Sequence, residues 1–289
     1  MNRRAVVFGA AGQLGVELVR DLKERGYGVL AWDRASVDIT DASAVERALA
    51  GYEAEVVFNA AAYNQVDVAE KEPQAAFQVN ALAVRNLALG CRQMDAQLVH
   101  FSTDYVFDGT ATRPYTEDDT PHPLGAYAVS KLAGELYARA YLDNALVVRT
   151  SGVFGPGGLT TARGNFVEVM LRLAAKPNPI RVVEDHGASP AYAPALASRT
   201  IDLAERKCAG IYHIGGGEAI SWFAFARLIF EAAKLSPSLV PTNEREYRTP
   251  ARRPRYSALS NAKMEQAGVK AMPPLREALA DYFRRRGRS

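Results

Sequence analysis

Along the first half of the chain, short runs of β-branched and aliphatic residues alternate with stretches whose apolar positions recur every three to four residues. "AVVFG" (5–9) reads as a buried strand. "QLGVELVRDLKERG" (13–26) reads as a helix with an apolar face of Leu14, Leu18, Val19 and Leu22, stopped at Gly26. The same alternation continues through strand "GVLAWD" (28–33), helix "DASAVERALAG" (41–51) with Asp41 as its cap, and strand "AEVVFNAAA" (54–62). A helix over 73–94, strand "QLVHFSTDYVF" (97–107), helix "YAVSKLAGELYARAY" (127–141) and strand "ALVVRTSGVFG" (145–155) complete it. Strands that are apolar almost throughout are covered on both faces. The pattern therefore predicts an α/β fold, a doubly wound, Rossmann-like parallel sheet with helices on both sides.

Beyond about residue 155 the rhythm breaks. "GPGGLTTARGN" (155–165) reads as a loop, followed by a helix (166–175), a Pro-rich turn, short strands in "IRVVED" and "GIYHIGGG", and an apolar helix (221–234) opened by Ser221. The expectation is a dinucleotide-binding domain over 1–155. A smaller, mainly substrate-binding domain over 156–289 would be built from interleaved segments, some returning to the first domain.

Composition narrows the partners. A hydrophobic share of 48% supports a substantial core, and a net charge of +3 is too small to argue for nucleic acid. The basic residues concentrate late. "RRRGRS" (284–289) reads as a solvated end, whereas "REYRTPARRPRYS" (245–257), mixed with aromatics and prolines, suits an anionic ligand. Cys91 and Cys208 lie far apart with no CxxC spacing, which argues against a disulfide framework or a structural zinc site and fits a reducing compartment. The N-terminal apolar run breaks at Gly9, too early for a signal peptide, and no stretch approaches a membrane span, so a soluble cytoplasmic protein is expected.

Two stretches carry candidate chemistry. "VVFGAAGQLG" places Gly9, Gly12 and Gly15 between a strand and a helix headed by Gln13 and Leu14, where backbone N–H groups can approach a pyrophosphate. Three glycines alone often mean only a turn. Here Asp33 ends the next strand, 18 residues past Gly15, where a carboxylate would meet an adenosine ribose. Arg34 beside it could instead greet a 2′-phosphate, so NADH and NADPH both stay open. "GAYAVSKLAGE" sets Tyr127 one helical turn from Lys131, so both project from one face. An ammonium near a phenol favours the phenolate and lowers a pKa that is otherwise about 10. Ser102 and Thr103 offer a strand-end hydroxyl to orient a carbonyl oxygen.

These stretches resemble the extended short-chain dehydrogenase/reductase superfamily and, within it, the dTDP-4-dehydrorhamnose reductases. The similarity runs through "GAAGQLG", "DITD" (38–41), "NAAAYNQVDVAE" (59–70), "VNALAVRNLA" (79–88), "STDYVFDG" (102–109), "YAVSKLAGE" (127–135), "RTSGVFG" (149–155) and "RPRYSAL" (253–259). The resemblance implies reduction of a 4-keto group on a dTDP-linked 6-deoxyhexose, giving dTDP-L-rhamnose, with NADPH or NADH as donor. It implies Thr103, Tyr127 and Lys131 as the catalytic set. Asp38 and Ile39 would flank the adenine, Ala60, Ala61, Ala62 and Tyr63 would line the cofactor channel, and Tyr127 and Lys131 would also touch the cofactor. Arg253 would pair with the diphosphate, and Val66, Asp104, Tyr105 and Asn165 would border the sugar. A homodimer is the assembly it suggests.

The chain also departs from that pattern. Gly152 stands where the family typically carries a Trp against the sugar, leaving the space wider or filled by another side chain such as Phe154. His186, Ala188 and Ala191 replace a Gln, a Gly and a Thr. Glu17 matches one glutamate that binds magnesium in some members, but Pro194 falls where a second would be, so no metal is expected. A nucleotide-sugar 4,6-dehydratase would need Asp-Glu after the strand-four Thr, and this chain has Asp104 and Tyr105. A reductase for another 4-keto nucleotide sugar, and a non-catalytic cofactor-binding regulatory subunit, remain as alternatives.

Overall fold

Every strand of the main sheet is parallel, as the near-continuous apolar runs require. The computed structural model describes residues 3–160 and 164–287; part of the loop read over 155–165 (161–163) and the last two residues of the tail lie outside the described residues. Strands β1 (Arg4–Phe8), β2 (Gly28–Trp32), β3 (Val56–Asn59), β4 (Gln97–Thr103), β5 (Leu146–Thr150) and β8 (Gly210–His213) form one sheet in the order β2-β1-β3-β4-β5-β8. Successive residues of a strand point to opposite faces, and here both faces are core. Ala5, Val7, Val56, Phe58, Leu146 and Val148 pack on one side, whereas Val6, Phe8, Val57 and Val147 pack on the other.

Helices α1 (Gln13–Glu24) and α8 (Ala193–Glu205) cover the first face through Leu18, Leu22, Leu196 and Ile201. Helices α2 (Ala42–Leu49), α5 (Ala83–Gln93) and α6 (Ala126–Tyr141) cover the second through Val45, Leu87 and Ala138. Asp41 caps α2 as expected, its carboxylate accepting from the Ser43 amide at 2.9 Å. The periodicity over 73–94 predicts one helix. The chain instead runs from α4 (Pro73–Phe77), preceded by the short α3 (Val66–Ala69), through a π-helical turn (Gln78–Leu82) into α5. A π turn adds a residue to the helical circuit and re-aims one side chain, here Asn80.

The remaining helices are α7 (Phe166–Ala174), α9 (Trp222–Ala233), α10 (Ala262–Gln266) and α11 (Leu275–Arg286). The strands β6 (Ile180–Val183) and β10 (Leu239–Thr242) pair in parallel, and β7 (Gly187–Ala188) and β9 (Ile220–Ser221) pair antiparallel. Helices α7, α9 and α11 share a separate core of Val167, Met170, Phe225, Ile229, Leu279 and Tyr282. Ser221 caps α9 by accepting from the Ala224 amide at 3.1 Å. The basic tail is largely solvated as read, with Arg284, Arg286 and Gly287 exposed, but it is helical and ion-paired. Arg284, Arg285 and Arg286 form the last turn of α11, where positive charge suits the helix dipole, and Arg286 bonds Glu168 at 2.8 Å. Among the described residues, no helix is long and apolar enough to cross a membrane.

Candidate active site

The parallel register brings the C-terminal ends of β1, β3, β4 and β5 to one edge, so the loops after Phe8, Asn59, Thr103 and Thr150 meet there. Gly9 has φ +76°, and a Cβ on it would fall 2.5 Å from the Ala61 nitrogen. A Cβ on Gly15 would fall 2.1 Å from the Gly9 carbonyl oxygen. Only glycines allow this backbone-on-backbone turn. Gly12 is the N-cap of α1 and supplies no side-chain cap, so the first amides of α1, including those of Gln13 and Leu14, present a positive end with no helical acceptor. Such a cradle fits a dinucleotide pyrophosphate. The Gln13 side chain faces elsewhere: its amide donates to the Val153 carbonyl at 2.8 Å and accepts from Asn165 at 2.7 Å.

At the adenosine end, Asp33 Oδ1 accepts from the Ser36 amide and hydroxyl at 2.8 and 2.7 Å, which holds the carboxyl below its ordinary range. Arg34 beside it is exposed. Asp38 makes the same kind of turn with Thr40 and is likewise lowered. The Ile39 side chain is 6% exposed and packs into the core, which leaves its backbone as the part that can flank an adenine. Ala60, Ala61, Ala62 and Tyr63 follow β3 directly beside Gly9, with the Ala61 amide held by Asn59 at 3.2 Å. Asn80, delivered by the π turn, clamps both backbone groups of Tyr63 at 2.9 Å and donates to Ser130 Oγ at 3.0 Å. Ser130 in turn donates to the Tyr127 carbonyl at 2.7 Å. One buried amide thus ties the loop after β3 to the helix that carries Tyr127 and Lys131.

Ser102 and Thr103 point to opposite faces of β4, which separates their roles. Ser102 donates to the buried Glu135 carboxylate at 2.5 Å, away from the site. The Thr103 hydroxyl reaches the Tyr127 phenol, accepts from the Tyr105 amide at 3.2 Å and donates to Asp104 at 3.2 Å. Lys131 is 3% exposed and its ammonium donates to the Phe101 carbonyl at 2.6 Å. Burial lowers its pKa to about 8, although Glu135 one turn along opposes the shift. The expectation that Lys131 lowers the Tyr127 pKa is not met. Burial pushes the phenol well above its ordinary value, outweighing Thr103, and the ammonium is engaged by a backbone carbonyl. Tyr127 is therefore a protonated phenol at neutral pH, the form needed to donate a proton.

Asp104 and Asn165, expected to border the sugar, have their polar atoms bonded within the protein. Both Asp104 oxygens are engaged inside the protein, by Ser151 at 2.8 Å, Ser257 at 2.5 Å and Thr103, while burial raises its pKa to about 6. Asn165 caps α7 through the Glu168 amide and braces Gln13 and the Gly155 carbonyl. Tyr105 lies edge-on to Tyr127, ring centroids 6.2 Å apart, and opens onto a cavity of about 680 Å³. Val66 heads α3 one residue before Asp67, which lines that cavity. Arg253 lines it too, with its guanidinium held by both Asp67 oxygens at 3.0 and 2.8 Å. A diphosphate pairing with Arg253 would have to share or displace this carboxylate. Arg181, Arg245, Arg248 and Arg252 border the same space over an apolar floor that includes Val169 and Met170.

Phe154 does not fill the space beside Gly152. Its ring is fully buried against Tyr192 and Phe225, with centroids 5.4 and 5.3 Å away. The neighbour at Gly152 is the Trp222 ring from the start of α9. Glu17, the expected remnant of a metal site, is a buried partner of Arg20 and Arg285.

A family model described as RmlD substrate binding domain matches residues 3–287. The chain belongs to the RmlD substrate binding domain family. It is similar to the spore coat polysaccharide biosynthesis protein SpsK of Bacillus subtilis, 39% identical over 98% of each chain. It is also similar to a dTDP-4-dehydrorhamnose reductase of Mycobacterium tuberculosis, 40% identical over 96% of this chain and 92% of that one. A crystal structure of dTDP-4-dehydrorhamnose reductase from Bacillus anthracis in complex with NADP superposes with a TM-score of 0.93 at 34% identity, covering 99% and 100% of the two chains.

Four side chains of this RmlD-family site escaped the sequence reading. Asn80 needs the π turn, which leaves no mark in apolar periodicity. Asp67 and Trp222 reach the cavity through long-range packing. Glu135 had a local signal, since it follows Lys131 by one helical turn, the spacing of an ion-pair partner.

Proposed function

We propose that the protein reduces the 4-keto group of dTDP-4-dehydro-6-deoxy-L-mannose to give dTDP-L-rhamnose, using NADPH or NADH. The observation that carries the reading is the convergence of Thr103, Tyr127 and Lys131 between a glycine cradle and an arginine-rich cavity. A reduced nicotinamide, when bound, supplies the hydride. The residues fitted to hold it are Gly9, Gly12 and Gly15 with the amide end of α1, Asp33 or Arg34 at the ribose, and the Ala60–Tyr63 loop. Thr103 orients the substrate carbonyl, and Tyr127 donates a proton to the oxygen as it becomes an alcohol. Lys131, one helical turn from Tyr127, would hold the nicotinamide ribose with its ammonium, and Asn80 and Ser130 fix the helix so that the phenol does not wander.

The charge on Lys131 makes the reading testable by pH. The ammonium form is present below about pH 8 and lost above it, so kcat/KM is expected to fall on the alkaline side with a midpoint near that value. Lys131→Arg, whose cation persists, should lack this limb in a pH–rate profile. The direct test is oxidation of NADPH or NADH with dTDP-4-dehydro-6-deoxy-L-mannose. Tight cofactor binding without turnover on this or any other 4-keto nucleotide sugar would overturn the reductase in favour of a regulatory subunit.

The assembly expected with this activity is a cytoplasmic homodimer. Phe77 on α4 and Val129 and Leu136 on the adjoining α6 leave apolar side chains in solvent, which supports it. Sedimentation velocity of the pure protein decides the point.

A further inference from the structure

Trp222 sits where the cavity meets the strand ends. Gly152, just past β5, has φ +47°, and a Cβ placed on it would lie 2.9 Å from the Cη2 atom of Trp222. The indole thus reaches from α9 across to the edge that carries Thr103 and Tyr127, and the absence of a side chain at 152 is what admits it. Its ring leans on Phe166, with centroids 4.8 Å apart, and its backbone amide donates to the His186 carbonyl at 3.2 Å, so its position is fixed from two sides. It lines the cavity together with Tyr105, the neighbour of Tyr127. Among the described residues the indole N–H has no hydrogen-bond acceptor. It is also absent from the buried polar atoms lacking a partner, so it can be reached from outside. A tryptophan that serves only to fill a core has neither an open face nor an available donor.

We propose that Trp222 is a specificity-determining residue of the substrate site. Its ring packs against the apolar face of the nucleotide-linked hexose, and its N–H donates to a sugar oxygen. This rests on the nucleotide-sugar reading above. The C–H face of a hexose is apolar and matches an aromatic face, whereas a nucleoside diphosphate without the sugar gains nothing from that wall. The two ligands therefore separate this role from a general contribution to the cavity.

The test is calorimetric titration of the full-length protein with dTDP and with dTDP-L-rhamnose, in wild type, Trp222→Leu and Trp222→Phe. The wild-type protein is expected to bind the sugar nucleotide more tightly than dTDP, and Trp222→Leu to lose that advantage by roughly tenfold. Its affinities for dTDP and NADPH should stay unchanged. Trp222→Phe keeps an aromatic face and should retain most of the advantage, which also guards against a Leu variant that folds poorly. The proposal is overturned if Trp222→Leu keeps the preference for the sugar nucleotide, or if it loses dTDP equally. A wild-type protein that binds neither ligand while binding NADPH would overturn the nucleotide-sugar reading itself, and this inference with it.

Discussion

Tyr127→Phe is expected to lower kcat about a thousandfold while leaving NADPH affinity unchanged, as measured by steady-state turnover and a cofactor titration. The expected loss is large because, in the proposed reaction, the substituted atom is the proton donor and nothing nearby can take over. Thr103 holds its proton far more tightly than a phenol does. Asp104 has both oxygens engaged by Ser151, Ser257 and Thr103, and the Lys131 ammonium is directed at the Phe101 carbonyl. The cofactor affinity survives because the glycine turn and the Ala60–Tyr63 loop are held by backbone contacts and by Asn80, none of which involves the phenol oxygen. Near-normal turnover in this variant would sink the assignment.

Glu135→Gln is expected to destabilise the fold by roughly 3–5 kcal/mol, because it leaves a buried guanidinium without its countercharge. Glu135 and Arg149 side chains are each 2% exposed and share hydrogen bonds at 2.8 to 3.2 Å, with Ser102 adding a third partner. The Arg149 guanidinium also lies 5.2 Å from the centre of the Phe107 ring, so it cannot swing out to water. Thermal denaturation should show a fall of roughly 10 °C. The double variant Glu135→Gln/Arg149→Met should recover part of it, since removing both charges is far less costly than removing one. A single variant as stable as wild type would mean that water reaches Arg149.

The sheet was legible in the sequence because parallel strands must be apolar on both faces, and that leaves an unmistakable run of Val, Leu and Phe. Thr103 and Ser102 could not be told apart there, since which face of β4 meets the cofactor edge is decided by pairing with β5. Asn165 and Asp104 entered as sugar neighbours through the family resemblance alone. Their burial and their internal partners emerge only when residues 13 and 257 are folded against them. Arg253 presents a similar difficulty. Its cluster reads as an anion site, but the carboxylate that holds it comes from 186 residues away along the chain. Helix α8 was not expected although Leu196, Ala197 and Ile201 have helical spacing; Pro194 suggests a break, yet it lies in the first turn, where a proline is tolerated.

Where α8 and β8 lie has a practical outcome for anyone dividing this chain. Both come from beyond residue 192, yet one shields the face of the main sheet beside α1 and the other closes its open edge next to β5. A fragment cut near residue 155 would be left with a bare apolar face and an unpaired strand, prone to stick to its own copies. The half that carries the glycine cradle is a product of the whole polypeptide, and exchanging the other half for that of a relative means carrying these two pieces across intact.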